Sequence, residues 1–123
     1  MIPEIAPIRT ENLILRAFRV EDFPAYRAYY SGDRTRGGGG PLPEHKVFER
    51  FCSMIGHWAI RGYGRYAISD HTAGPAFGHA GPMKLTEDTP PEMTWTIWDA
   101  TPTGRGLATA AAGAVLDHLI ATG

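Results

Sequence analysis

Apolar and polar residues alternate most sharply in "MTWTIW", where Met93, Trp95 and Ile97 face one way and Thr94, Thr96 and Trp98 the other. A period of two among large side chains predicts a β-strand over Met93 to Trp98. "NLILRAFRV" (Asn12 to Val20) reads as a first strand, with Leu13, Leu15 and Ala17 opposed to Ile14, Arg16 and Phe18. "GYGRYAISD" (Gly62 to Asp70) and "PAFGHAGPMKL" (Pro75 to Leu85), separated by the short turn "HTAG", predict a hairpin. Helical spacing takes over elsewhere. Glu21 and Asp22 suit the positive end of a helix from Glu21 to Ser31, with Pro24 tolerated in its first turn. Val47, Phe48, Phe51, Cys52, Ile55 and Ala59 share one face of a helix from Glu44 to Ile60, which makes Cys52 a core thiol. A last helix runs from Gly104 or Gly106 to Ala121. The order is β-α-α-β-β-β-α, an α+β domain occupying residues 1–123 without internal repeats.

Two polar stretches interrupt these elements. "RTRGGGGPLPE" (Arg34 to Glu44) combines four glycines with Pro41 and Pro43 and reads as a mobile loop bordering a substrate entrance. It is a poor phosphate cradle, because no strand precedes it and prolines follow where a helix should start. "TEDTPPE" is a polar connection.

Composition narrows the function. Of 123 residues, 43% are hydrophobic and 20% charged, which is ordinary for a globular domain with a real core. A net charge of −1 argues against a nucleic-acid or acidic-membrane partner held by bulk electrostatics. Cys52 is the single cysteine, so an intrachain disulfide and a cysteine-cluster metal site are excluded. His45 and His57, on one predicted helix, form no ligand pair, and no metal is expected. The opening residues lack a signal-peptide pattern and no apolar run approaches the roughly 20 residues that cross a bilayer. The expected location is cytoplasmic.

The chemistry concentrates in "TPTGRGLATAAAGAVLDHL", Thr101 to Leu119. The first amides of a helix have no internal acceptor and carry the positive end of its dipole, so a phosphate can dock there. Gly104 and Gly106 clear the approach, Arg105 adds charge, and Ala108 with Ala110 to Ala112 lets the helix lie close to a sheet. A plain turn before an alanine-rich helix has the same residues, and a lone G-x-G is weak evidence. Full phosphate-loop and dinucleotide fingerprints are missing, which disfavours nucleotide hydrolysis and dinucleotide binding.

"TENLILRAF", "GHWAIRGYGRYAI", "PEMTWTIW" and "TGRGLATAA" occur in an order that resembles the GNAT acyltransferases, in particular the branch typified by ribosomal-protein N-terminal acetyltransferases. The resemblance runs from Ile8 to Leu119 and covers about the first two thirds of the family fold. It implies a GNAT-like, mixed but mostly antiparallel sheet flanked by helices, truncated before the final strands. It also implies acetyl transfer from acetyl-CoA to a primary amine, either a protein amino terminus or a small molecule. The pyrophosphate would lie on Thr103, Gly104, Arg105, Gly106, Leu107, Ala108 and Thr109, and the pantetheine arm along Thr96, Ile97 and Trp98. A backbone amide near Ile97 would polarise the thioester carbonyl, with Glu92 as general base and His79 as second candidate. Tyr26, Tyr29 and Tyr30 would border the acceptor. Thr103 departs from the family's usual Gln or Arg, and Ala110 from its usual Glu.

Bland readings stand beside these. Glu92 could cap a loop or pair with Arg65 or Lys84, His79 could be a buried hydrogen-bonded residue, and Trp58, Trp95 and Trp98 core or interface residues. The alternative function is a non-catalytic CoA-binding or dimerisation module that forms a homodimer through the exposed edge of the Met93 to Trp98 strand. A nucleotide-binding regulator is a third.

Overall fold

The computed structural model describes residues 5–10, 13–31, 42–70, 74–98 and 104–122. Its strands are β1 (Ile8–Arg9), β2 (Leu13–Arg16), β3 (Tyr66–Asp70), β4 (Gly78–Met83) and β5 (Glu92–Ile97). Its helices are α1 (Phe23–Ser31), preceded by a 3-10 turn (Val20–Asp22), α2 (Glu44–Arg61) and α3 (Gly104–Thr122). The sheet order is β1-β2-β3-β4-β5, and each strand runs antiparallel to the next. The α+β class is as read, and every described pairing is antiparallel. Residues 32–41, 71–73 and 99–103, which carry the glycine loop, the hairpin turn and the approach to α3, lie outside the described residues.

Register sorts the side chains onto two faces. Ala67 pairs with His79 and His79 with Thr96, so these three share a face; Tyr66, Ala80 and Trp95 share the other. The first face packs under α1 and α2 through Tyr26, Val47, Phe51, Met54, Ala67 and Met83. The second packs under α3, where Ala111 and Val115 meet Leu13, Leu15, Ile68 and Ala80. Ala111 and Ala112 are the small residues that bring α3 onto the sheet; Ala110 faces solvent.

A short strand, β1, precedes the first strand read from the sequence, and two boundaries moved for identifiable reasons. The first strand stops at Arg16, short of Val20, because the Arg16 side chain turns into a buried ion pair. The third begins at Tyr66 and not Gly62, because Gly62 closes α2 in the left-handed conformation (φ 79°), its N–H donating to the Trp58 carbonyl. Cys52 is exposed, which corrects the core-thiol reading. The buried stripe of α2 is Val47, Phe51, Met54 and Trp58, and a residue next to Phe51 is rotated by about 100° away from it.

Two features let β4 sit centrally. A β-carbon at Gly81 (φ 151°) would collide with the Gly64 carbonyl and with Arg65 Cα, so only glycine admits the approach of the chain entering β3. Pro82 lies past the end of the β3–β4 pairing, where its missing N–H interrupts no ladder on that side.

One polar knot joins the layers. Arg16 grips Asp22 bidentately, Nη1 to Oδ2 at 2.9 Å and Nη2 to Oδ1 at 2.8 Å, with both residues buried. Asp22 also accepts from the Arg19 and Ala76 amides at 2.8 and 3.1 Å, and Arg16 Nη2 donates to the Gly74 carbonyl at 3.1 Å. Burial by itself would raise the Asp22 pKa; the hydrogen bonds from Arg16, Arg19 and Ala76 and the Arg16 charge outweigh it and hold the carboxyl below its ordinary 3.8. A depressed carboxylate stabilises fully above the unfolded value and loses that contribution as pH falls through the folded one. Asp22→Asn should therefore cost about 3–5 kcal/mol in urea titrations at pH 7. Below about pH 4 the gap between wild type and variant should close. A gap of the same size at pH 2.5 and pH 7 would refute the ion-pair account.

Candidate functional site

The open edge of β5 organises the site. Trp98 N–H donates to the Phe77 carbonyl at 2.7 Å, which turns Trp98 toward β4. Peptide direction alternates along an antiparallel strand, so Thr96 and Thr94 also aim at β4, whereas Ile97, Trp95 and Met93 aim outward. Among the described residues no strand pairs with that outward side. Trp95 is half exposed there. Pro82 faces Met93, a position of the β4–β5 ladder that calls for no N–H. A β-carbon at Gly78 would reach 2.5 Å from the Thr96 carbonyl, so glycine keeps the β4–β5 pairing tight where the edge begins.

α3 starts at Gly104, shortly after β5 ends, and packs on β4 and β5. Its first turn spans Gly104, Arg105, Gly106 and Leu107, whose amides have no intrahelical acceptor. Ala108 follows in the same helix, Thr109 is exposed on it, and Thr103 lies outside the described residues. The sequence-predicted groups thus form two sets, the β5 edge and the α3 start. Of Thr96, Ile97 and Trp98, Ile97 is the one whose peptide faces outward.

Trp98 anchors the end of β5. Its ring stacks on Phe18 (6.3 Å between centroids), meets Tyr26 edge-on (5.2 Å), and its Nε1–H donates to His79 Nδ1 at 3.0 Å. An Nδ1 that accepts leaves the proton of neutral His79 on Nε2. Burial first, and the Arg65 charge second, push the His79 pKa from 6.5 down to about 3. A buried imidazole that stays neutral and spends Nδ1 on Trp98 is a packing residue, which corrects its candidacy as base. Beside it a cleft of about 540 Å³ is lined by Ala25, Ala28 and Tyr29 of α1 with Pro75, Ala76, Phe77 and Trp98. Of the three candidate tyrosines, Tyr29 lines this cleft, Tyr26 is core, and Tyr30 hydrogen-bonds the Thr96 side chain. Ala25 and Ala28 were not singled out from sequence, although two alanines one turn apart before a tyrosine are the signal for a shallow wall.

Glu92 is exposed at the opposite end of β5, roughly 16 Å along the strand from Ile97 and roughly 10 Å from Trp95 at 3.3 Å per residue. It forms no ion pair with a described residue, and Arg65 is the cation that feels its charge. In the sequence Arg65 figures only as a possible partner of Glu92, and Thr94 only as a strand residue. Arg65 Nε and Thr94 Oγ1 are buried without hydrogen-bond partners.

The His79 environment has a measurable consequence. The unfolded chain protonates this residue near 6.5 and the folded chain near 3, so stability should fall with pH between those values by about one proton's slope. Urea midpoints of wild type and His79→Gln between pH 7 and 4.5 check this. The variant, whose amide can still accept from Trp98, should show the shallower decline; parallel curves would contradict the neutral buried imidazole.

Residues 12–123 match the family described as Acetyltransferase (GNAT) domain. Among solved structures the chain is similar to an acetyltransferase from Agrobacterium tumefaciens str. C58, with 32% identity, 95% of this chain and 68% of that one covered, and a TM-score of 0.83. It is also similar to a protein from Bordetella pertussis assigned to the GnaT acetyltransferase family, with 27% identity, coverages of 97% and 74%, and a TM-score of 0.79. A GNAT-family acetyltransferase from Bacillus anthracis shares the fold at 17% identity, with coverages of 86% and 63% and a TM-score of 0.62. No curated protein matches the chain significantly.

Proposed function

The chain belongs to the GNAT acetyltransferase family, and we propose that it moves an acetyl group from acetyl-CoA to a primary amine. One observation carries the reading: the peptides of Trp95 and Ile97 point away from β4, on a side where no described strand pairs, and α3 is the next element of the chain. These are unspent donors of the kind that a pantetheine arm and a pyrophosphate require.

Acetyl-CoA supplies an activated thioester, at which a C–N bond forms as the C–S bond breaks and the thiol leaves. The chain's residues do the rest. The Ile97 N–H, with that of Trp95, holds the arm and polarises the carbonyl. The start of α3 seats the diphosphate, the role the family resemblance implies for Thr103, Gly104, Arg105, Gly106, Leu107, Ala108 and Thr109. Thr96 and Trp98 hold β5 in register. Glu92 takes the ammonium proton through a chain of waters, because it stands roughly 16 Å along β5 from the Ile97 amide, beyond direct contact or a single bridging water. The acceptor is an amine, and a protein amino terminus is one form of it, as in the ribosomal-protein branch. A cytoplasmic protein has acetyl-CoA at hand. The half-exposed Trp95 on an unpaired edge favours a second reading, a CoA-binding module that dimerises by strand pairing.

Calorimetric titration with CoA followed by thiol release over an amine panel tests the proposal. Binding with turnover is expected; binding without turnover selects the module, and neither removes both readings. Ile97→Pro deletes one outward N–H and should lower kcat about 10²-fold or more. Glu92→Gln should cost about 10²–10⁴ in kcat. Wild-type kcat in Glu92→Gln would dismiss this carboxylate as the base.

A further inference from the structure

We propose that the acceptor amine carries a carboxylate, seated by the Arg65 guanidinium with the Thr94 hydroxyl on the face of the sheet under α1 and α2; this rests on the acyl-transfer reading above. The two residues flank Gly81. Arg65 Cα lies against it from the β3 side, and Thr94 is its partner in β5. The Arg65 backbone is pinned, because its carbonyl accepts from Trp58 Nε1 at 2.8 Å. Its Nε–H, in contrast, is buried with nothing to donate to, and Thr94 Oγ1 is buried and unpartnered one strand away. Native structures rarely leave such atoms unsatisfied unless a water, an ion or a ligand completes them.

Charge says which ligand. Arg65 and Arg50 both act on Tyr26 and Tyr30, and among the described residues Glu92 is the acid that acts on Arg65. Neither arginine forms an ion pair with a described residue. Burial holds the Tyr26 and Tyr30 hydroxyls above their ordinary pKa, so both stay neutral and supply no counter-charge. A planar guanidinium pairs bidentately with a carboxylate or a phosphate, and the carboxylate is the one of the two that an amino acid or a peptide carries beside its amine. Thr94 is also one residue from Trp95, whose outward peptide belongs to the proposed transfer edge. Along β5 Thr94 lies between Glu92 and the Trp95 peptide, so a molecule with its acid at Arg65 can hold its amine between the carboxylate and the transfer edge, as an amino acid would. A free amino acid and a peptide with an acidic first residue present the same chemistry.

Thiol release is measured with matched acceptors: a free amino acid and its carboxamide, and tripeptides beginning with Glu or Gln. Wild type should favour the acid member of at least one pair by about tenfold or more in kcat/KM, the discrimination a charge-assisted hydrogen bond supplies. Arg65→Gln should bring that ratio toward one, and Arg65→Lys should restore part of it. Which pair discriminates identifies the source of the carboxylate. Equal use of acid and amide by wild type, or a preference that survives in Arg65→Gln, overturns the seat and leaves acyl transfer standing. Calorimetry with an N-acetylated amino acid and its amide supplies a readout independent of turnover. Acid-selective binding that Arg65→Gln abolishes, without turnover, keeps the seat and removes the transferase reading; no acid-selective binding removes the seat. Should Arg65→Gln fail to fold, Thr94→Val takes its place, with acid binding expected to weaken several-fold.

Discussion

The buried grip of Arg16 on Asp22 determines where α1 can lie. Asp22 ends the turn that starts α1, and its second oxygen and the Arg16 Nη2 reach Ala76 and Gly74, ahead of β4. One ion pair therefore sets β2, α1 and the β4 approach relative to each other. The cleft between Ala25, Ala28 and Tyr29 on one side and Pro75 to Phe77 on the other is the space left between two of the elements so held. Such a pair is strong only when complete. Each Asp22 oxygen has two donors, and losing Arg16 would strand a buried charge.

A second constraint works across the sheet. Gly78 and Gly81 keep β4 close to the Thr96 carbonyl and to the chain entering β3, which holds β5 on one side, with no described strand on the other. The Trp98–His79 hydrogen bond and the aromatic contacts around it secure the end of that strand without using its outward peptides. His79 gives up its titration for this. Burial that makes it a good acceptor for an indole N–H makes it a poor base, so packing and proton transfer fall to different residues.

Much of the fold was legible because periodicity is a local property. "MTWTIW" alternates, Val47 and Phe51 show the helical spacing of α2, and glycine follows where α2 ends. Cys52 was misread because helical spacing gives a face only to within a residue or so, and the true stripe proved narrower. Glu92 was a candidate through the family resemblance and His79 as a histidine on the neighbouring strand, and neither ground says anything about burial or distance. The structure gave the first a partner and left the second exposed at the far end of its strand.

The sequence alone determined the order of the elements from β2 onward, though not the short β1, together with the glycine-bounded helix start and the likeness to a family, since these depend on residues near one another in the chain. Tertiary structure alone decided which peptides of β5 face outward, that Arg16 and Asp22 pair, and that Arg65 and Thr94 lie either side of Gly81 with unspent polar atoms. Those facts depend on strand register and on contacts between residues far apart in sequence, where a shift of one position would turn every side chain to the other face.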